Sequence, residues 1–479
     1  MSLPSLPSPP LGVRYALTVP QSVLFADLSL RGSRQQAFEE VFGTAFELDY
    51  IVIDDGAMSW DFTGDDGFSR ALFGDTDATR CVRRFVAAMG ATARAVEKAS
   101  WLLSSSDTRR AGSVEDMLFD LREYWGAYER HMTSLFTFWN VEELLSEALT
   151  RMLKETDLQA EIDSGLDRFL IPSETNYFAL ERRSLERVAA RFGGGDKEGE
   201  AFKAALQRHV SDFGFLLAPF NLGKPPSVES LSERLEEIPG GAAAITLIDG
   251  RTDLLSDIPE PVRELGLLAQ EFTFWKTERL DVMSLADSRV AHLYSSAAEA
   301  LSLDTNQLFA MRREEIDASL AKGAPTVSEE VLAERLSGFC LLLHGGEIDF
   351  FEPSRKPADS EVEAATSTPG TIRGTAASRG IVSGRVRRIM DLSEASLLEP
   401  GEILVTTMTR PEMGVALDRA AAFVTDEGGR MAHAAIIARE MGKPCVIGTG
   451  EATRVLRDGM SVTVDGDNGV VTVNDGAVA

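Results

Sequence analysis

The stretch TDEGGRMAHAAIIAREMGKPCVIG, Thr425 to Gly448, decides how the C-terminal part of this chain reads. Gly428 and Gly429 predict a turn that leads into a helix rich in Ala and Ile. His433 falls on the first turn of that helix. Gly442 stops it, with Pro444 just beyond, and Cys445 to Ile447 reads as a short apolar strand. A helix start carries free N–H groups and the positive end of the helix dipole. Glycines beside it let a phosphate approach the backbone. An imidazole placed there suits a group that accepts a phosphoryl and holds it. The competing reading is a lone histidine at a helix end. The complete frame of glycines, helix and following strand favours the acceptor.

Three neighbouring stretches belong with it: GTAASRGIVSGRVRRI (Gly374 to Ile389), PGEILVTTMTRPEM (Pro400 to Met413) and DGMSVTVDGDNGVVTV (Asp458 to Val473). Together they read as a compact β/α unit. Thr409-Arg410-Pro411-Glu412 looks like a capping box at a helix start, and Gly466 to Gly469 closes a final hairpin. Over Thr371 to Val473 the chain resembles the swivelling phosphohistidine domain of the phosphoenolpyruvate-utilising enzymes. The lead, Gly428, Gly429, His433, Ala434, Ala435, Ala438, Arg439 and Glu440 match that family's signature. Ala432 departs from it, because the residue before the histidine usually carries a hydroxyl or thiol. The resemblance implies that His433 is the phosphohistidine, with Gly428, Gly429 and Arg439 supporting the phosphate.

Composition narrows the remainder. The chain has 479 residues, enough for two or three domains, and a formal net charge of −27. Such acidity argues against nucleic acid, which needs a concentrated basic surface. Cys81, Cys340 and Cys445 are far apart and odd in number, so they read as reduced, buried thiols of a cytoplasmic protein. No apolar run is long enough to span a membrane. Residues 1–12 lack the basic and apolar regions of a signal peptide and read as a flexible tail.

Tyr50 to Phe62 alternates β-branched and polar residues around Asp55-Gly56, a hairpin signal. From about Thr79 to Phe351 apolar residues recur at three- and four-residue spacing, which predicts helices. Breaks are readable at Gly193-Gly194-Gly195, at Lys224-Pro225-Pro226 and at Pro239-Gly240-Gly241. The polar stretch Pro353 to Pro369 reads as a tether. The expected architecture is therefore α+β. A mainly helical acceptor domain with a small strand-containing N-terminal part spans 13–352, a linker 353–370, and a β/β/α swivelling domain 371–479.

Candidates outside His433 lie in the helical part. Phe272 to Leu301 resembles the long helix that precedes the swivel domain in rifampicin phosphotransferases, and Lys276 and Arg279 share one of its faces. Two cations there would neutralise a transferring phosphoryl, unless they only line a solvated face with Glu278 and Asp281. Glu123 to Asn140 is crowded with aromatics, which reads as helix–helix core or as the lining of an acceptor pocket. His131 within it, and His209 or His344 elsewhere, are candidates for deprotonating an acceptor hydroxyl, with His292 a weaker one.

The Gly193-Gly194-Gly195-Asp196-Lys197 run lacks P-loop spacing, so no nucleotide cradle is visible. Nor is a barrel domain expected after the last strand, near Val473. The resemblance thus implies a split, ATP-dependent dikinase-type phosphotransferase. ATP and Mg²⁺ would sit on a separate ATP-grasp subunit, and His433 would pass the phosphoryl to a hydroxyl acceptor such as a phenol or alkylphenol, with AMP and phosphate released. The alternatives are a phosphoenolpyruvate synthase-type fragment acting with domains in trans, and a non-catalytic phosphocarrier.

Overall fold

A computed structural model describes residues 15–18, 22–43, 50–54, 57–61, 77–104, 113–135, 137–156, 158–163, 166–192, 199–217, 227–237, 254–344, 346–351, 370–390, 392–409, 413–429 and 432–474. The N-terminal tail, the 353–369 tether, the Asp55-Gly56 turn and the three glycine- and proline-rich breaks lie outside them. The architecture is α+β, as expected. The chain gathers into two compact units, the first from 1–148, 218–224 and 278–359, the second from 149–217, 225–277 and 360–479. The expected 13–352 stretch is therefore divided between the two.

The first unit combines helices with a five-stranded antiparallel sheet, in the order β1-β3-β2-β4-β5. Its strands are β1 (Tyr15–Thr18), β2 (Tyr50–Asp54), β3 (Ala57–Asp61), β4 (Cys340–His344) and β5 (Glu347–Phe351). The predicted hairpin is β2–β3. The sequence reading placed no strands in LLLHGGEIDFF, yet it forms a second hairpin, and β4 pairs with β2 from Tyr50 opposite His344 to Asp54 opposite Cys340. The Val114–Met132 helix starts at Ser113, whose hydroxyl accepts from the Asp116 N–H at 3.2 Å. It buries Tyr124, Trp125 and Tyr128 completely, so these aromatics form core. Phe136 and the Trp139 side chain lie outside the described residues.

The second unit carries the helices Tyr177–Phe192, Glu200–Phe213 and Val228–Glu237, which share an apolar cluster around Leu185, Leu206 and Leu231. The long helix runs over Val262–Ala300, ten residues earlier at its start than the sequence suggested; its residues up to 277 belong to this unit and those from 278 on to the first. Residues 370–474 form an eight-stranded sheet in the order β6-β13-β12-β8-β9-β10-β11-β7. Its strands are β6 (Thr371–Arg373), β7 (Thr375–Ser378), β8 (Ile381–Arg388), β9 (Ile403–Thr406), β10 (Ala422–Thr425), β11 (Cys445–Ile447), β12 (Ser461–Asp465) and β13 (Val470–Val473). Strands β8 to β11 run parallel. Every residue of β9, β10 and β11 is buried, as parallel strands covered on both faces require. In β12 buried residues alternate with half-buried ones, the pattern of an antiparallel strand with one wetter face. One face packs Leu404 and Phe423 against Ala434, Ile437 and Ala438 of the His433–Met441 helix.

Candidate functional site

Parallel strands bring their carboxyl ends to one edge, and in open α/β sheets ligands gather there. The ends of β9 and β10 are neighbours, with Thr406 opposite Thr425. Each is followed by a loop, and the two loops are laced together: Asp426 N–H donates to the Thr406 carbonyl at 3.2 Å and Glu427 N–H to the Thr407 carbonyl at 2.9 Å. The first loop carries Thr409. The second carries Gly428 and Gly429 and ends on His433, the first residue of its helix.

Gly428 has φ +116°, and a Cβ there would stand 2.8 Å from the Ala432 Cβ, so only glycine makes this turn without strain. Ala432 is the N-cap and offers no side-chain acceptor to the helix. The N–H groups of the first turn have no partner within the helix. The far end closes as the sequence predicts. Gly442 adopts φ +62°, and Lys443 N–H returns to the Ala438 carbonyl at 2.9 Å, a Schellman stop.

The His433 ring is held at one nitrogen and open at the other. Nδ1 lies 2.8 Å from the Thr409 hydroxyl. Nε2 is buried and has no hydrogen-bond partner among the described residues. Burial lowers the His433 pKa to about 4, so the ring is neutral at pH 7. A neutral imidazole carries one proton. Among the described residues nothing would accept a proton placed on Nε2, whereas one on Nδ1 would be donated to the Thr409 oxygen and leave Nε2 its lone pair. That is the tautomer of a nucleophile. Of the Thr409-Arg410-Pro411-Glu412 capping box, residues 410–412 lie outside the described residues; the described helix runs over Gly414–Arg419, and the Thr409 hydroxyl meets His433.

A helix from elsewhere in the second unit covers this ring. Phe178, on the Tyr177–Phe192 helix, meets the His433 ring edge-on at 6.1 Å and belongs to the same apolar cluster as Ala434 and Ala435. Two polar contacts flank it. Asn176 donates to the Glu440 carboxylate at 3.4 Å, and Arg182 donates to Asp418 at 2.8 Å. Sequence reasoning missed Phe178 and Arg182 because nothing local marks them.

The other candidates lie as follows. Arg439 sits six residues beyond His433, roughly 9 Å along the helix axis. Its positive charge acts on Cys445, whose thiol burial nonetheless pushes up to about 12. Lys276 and Arg279 are both nearly buried, which overturns the solvated-face alternative. The Arg279 guanidinium lies 4.0 Å from the centre of the Phe138 ring, and burial lowers its pKa to about 9. His131 is buried between the Thr92 hydroxyl at 2.9 Å and the Arg279 carbonyl at 3.0 Å, with its pKa lowered to about 4 by desolvation. His209 is buried between Ser184 at 3.0 Å and the Glu181 carboxylate at 3.1 Å. Both ring nitrogens of each are occupied. His292 is exposed, and its Nδ1 meets only the Arg289 carbonyl of its own helix. The His344 side chain lies outside the described residues. All three cysteines are free and buried, as read from the sequence. Among the described residues no cluster of His, Cys, Asp or Glu is arranged to hold a metal, and no helix is long and apolar enough to cross a membrane.

Residues 398–469 match the family described as PEP-utilising enzyme, mobile domain. Three relatives share this part. The chain is 48% identical over 134 residues to a probable phosphoenolpyruvate synthase of Archaeoglobus fulgidus, covering 28% of this chain and 18% of that protein. It is 55% identical over 111 residues to the phosphoenolpyruvate synthase of Pyrococcus furiosus, covering 23% and 14%. It is 48% identical over 112 residues to the uncharacterised phosphotransferase YvkC of Bacillus subtilis, again covering 23% and 14%. The matched part thus spans less than a fifth of each relative.

Proposed function

We propose that this chain is the phosphohistidine-carrying part of an ATP-dependent, dikinase-type phosphotransferase. His433 Nε2 takes one phosphoryl group that originates from ATP and passes it to a hydroxyl acceptor, a phenol or alkylphenol, while water takes the other, so that AMP and phosphate are the remaining products. ATP and Mg²⁺ sit on a separate ATP-grasp subunit. The reading rests on one observation above all: Nε2 stands at an uncapped helix start with its lone pair free, while Thr409 holds the other nitrogen. The helix N–H groups and dipole then meet the charge of the phosphoryl that arrives.

The test mixes the chain, an ATP-grasp protein from the same source and labelled ATP. Label is expected on this chain in an acid-labile, base-stable bond, and none on His433→Ala. Equal labelling of the variant, or an acid-stable bond, overturns the assignment. The chain alone is expected to bind no ATP in calorimetry. The relatives that are phosphoenolpyruvate synthases favour a second reading, in which pyruvate is the acceptor and further domains act in trans. Offering the labelled chain pyruvate or a phenol separates the two.

A further inference from the structure

The loop that delivers His433 is held from both sides through one residue. Asp426 directly follows β10 and stands two residues before Gly428. Toward β9, its N–H donates to the Thr406 carbonyl. Toward β11, its carbonyl accepts from the Gly450 N–H at 3.0 Å. Its carboxylate faces the same way. The Thr449 hydroxyl donates to Oδ1 at 2.7 Å, and the Thr453 hydroxyl donates to Oδ2. The Thr453 N–H is shared between them, 3.2 Å from Oδ2 and 3.3 Å from Oδ1. The ends of β9, β10 and β11 are thus joined at Asp426.

The carboxylate does more than end a strand. The Thr449 N–H already ties β10 to the chain beyond β11, donating to the Thr425 carbonyl at 3.1 Å. Asp426 adds a grip on the side chains of Thr449 and Thr453. That grip bears on the glycine turn. Gly448 has φ +65°, and a Cβ there would stand 3.1 Å from the Gly428 carbonyl, so the two loops approach closely where the turn begins. The Ala432 N–H then closes the turn on the Gly429 carbonyl at 2.8 Å, and His433 comes next. Group transfer tolerates little error here. A reacting group must stand within about 0.5 Å of its productive place, and a misplacement of about 1 Å costs about a hundredfold in rate.

We propose that Asp426 is a positioning residue for His433, and that the Thr449–Thr453 segment belongs to the frame that sets where Nε2 stands. That this placement serves phosphoryl transfer rests on the function proposed above; the placement itself does not.

The experiment reads the ring before any transfer. The ring nitrogen resonances of His433 are recorded by NMR on the full, nitrogen-15-labelled chain at pH 8 and assigned by their loss in His433→Ala. Thr453→Val keeps the shape of the side chain and removes one hydroxyl, and Asp426→Ala removes the carboxylate. Both are expected to move the His433 resonances toward those of an imidazole whose two tautomers exchange freely. Thr453→Ser is expected to leave them in place. So is Val471→Ala, a destabilising change at a buried position of β13, which pairs with β12 and β6 and with none of the three strands that carry these loops. Labelling from ATP, normalised to folded protein, is expected to fall about tenfold in Thr453→Val and Asp426→Ala and to hold in Val471→Ala. Resonances unmoved in folded Thr453→Val, or moved as far by Val471→Ala, overturn the proposal. Should Asp426→Ala fail to fold, Thr453→Val decides alone. If the unaltered chain takes no label, the transfer reading fails, and the resonances still judge the placement.

Discussion

The Thr409 hydroxyl lies 2.8 Å from Nδ1 of His433, although the two residues belong to loops that follow different strands. The hydrogen bond holds the ring in place and, with the proton on Nδ1, leaves Nε2 free to take a phosphoryl group. Thr409→Val keeps the size of the side chain and removes the hydroxyl. Labelling of His433 from ATP is expected to fall about ten- to a hundredfold, the usual cost of losing a partner that orients an imidazole. Thr409→Ser is expected to restore most of it. Unchanged labelling in Thr409→Val would show that the hydroxyl sets no tautomer.

His433 predicts a signed pH dependence. Its pKa is about 4 in the folded chain and near 6.5 when unfolded, so the unfolded chain binds the extra proton between those values. Stability from this group is complete above pH 6.5 and falls as pH drops toward 4, by up to about 3 kcal/mol. His131, with the same depressed pKa, adds to the same trend. Denaturant unfolding should therefore show His433→Ala gaining on the unaltered chain as the buffer is taken from pH 7 to pH 4.5. A constant difference across that range rules the effect out.

Asp287 acts with the opposite sign. Burial raises its pKa to about 7, so the folded chain binds the extra proton between about pH 4 and pH 7 and stability from this group falls as pH rises through that window. The neighbouring Tyr124, Tyr128 and Tyr294 hydroxyls are pushed well above their ordinary range and stay neutral throughout. Asp287→Asn should gain stability over the unaltered chain on going from pH 4.5 to pH 7.5. A gain in the other direction would mean that the carboxylate has a cationic partner.

Phe178→Ala removes a ring that is 4% exposed and packed on the His433 helix. A loss of about 3 kcal/mol is expected. The same change should raise the His433 pKa toward 6.5, because water gains access to the imidazole, and NMR titration reads that directly. A titration identical to that of the unaltered chain would show that Phe178 does not enclose the ring.

Ala432→Ser places a hydroxyl at an N-cap that has none. It is expected to stabilise the domain by about 1 kcal/mol, read as a rise in the urea midpoint.

The reading of Thr425 to Gly448 succeeded because its signals are local. Two glycines, an Ala-rich helix, Gly442 and an apolar triplet each constrain a few neighbouring residues, and the helix and strand fall where they were placed. The aromatic crowding at Tyr124 to Tyr128 likewise marked core. The contact of Thr409 with His433 was not legible because it depends on the pairing of β9 with β10, which no window of sequence contains. Phe178 lies more than 200 residues from His433, and only packing joins them. The β4–β5 hairpin was passed over because Cys340 to Leu343 is short and apolar throughout, a pattern that helix and strand share. Lys276 and Arg279 share a helical face, but periodicity does not say whether such a face meets water or protein.

The enclosure of Nε2 has a thermodynamic corollary. Nε2 is buried while Phe178 meets the ring edge-on, and a phosphoryl group there needs room, so loading is expected to work against this packing. Loading of His433 and release of the Asn176–Arg182 segment are then one linked equilibrium. Whatever tightens the segment slows loading, and loading loosens the segment by the same free energy. The covering helix would behave as a gauge of the phosphorylation state, and protease susceptibility near Asn176 would report how much of the chain carries phosphate.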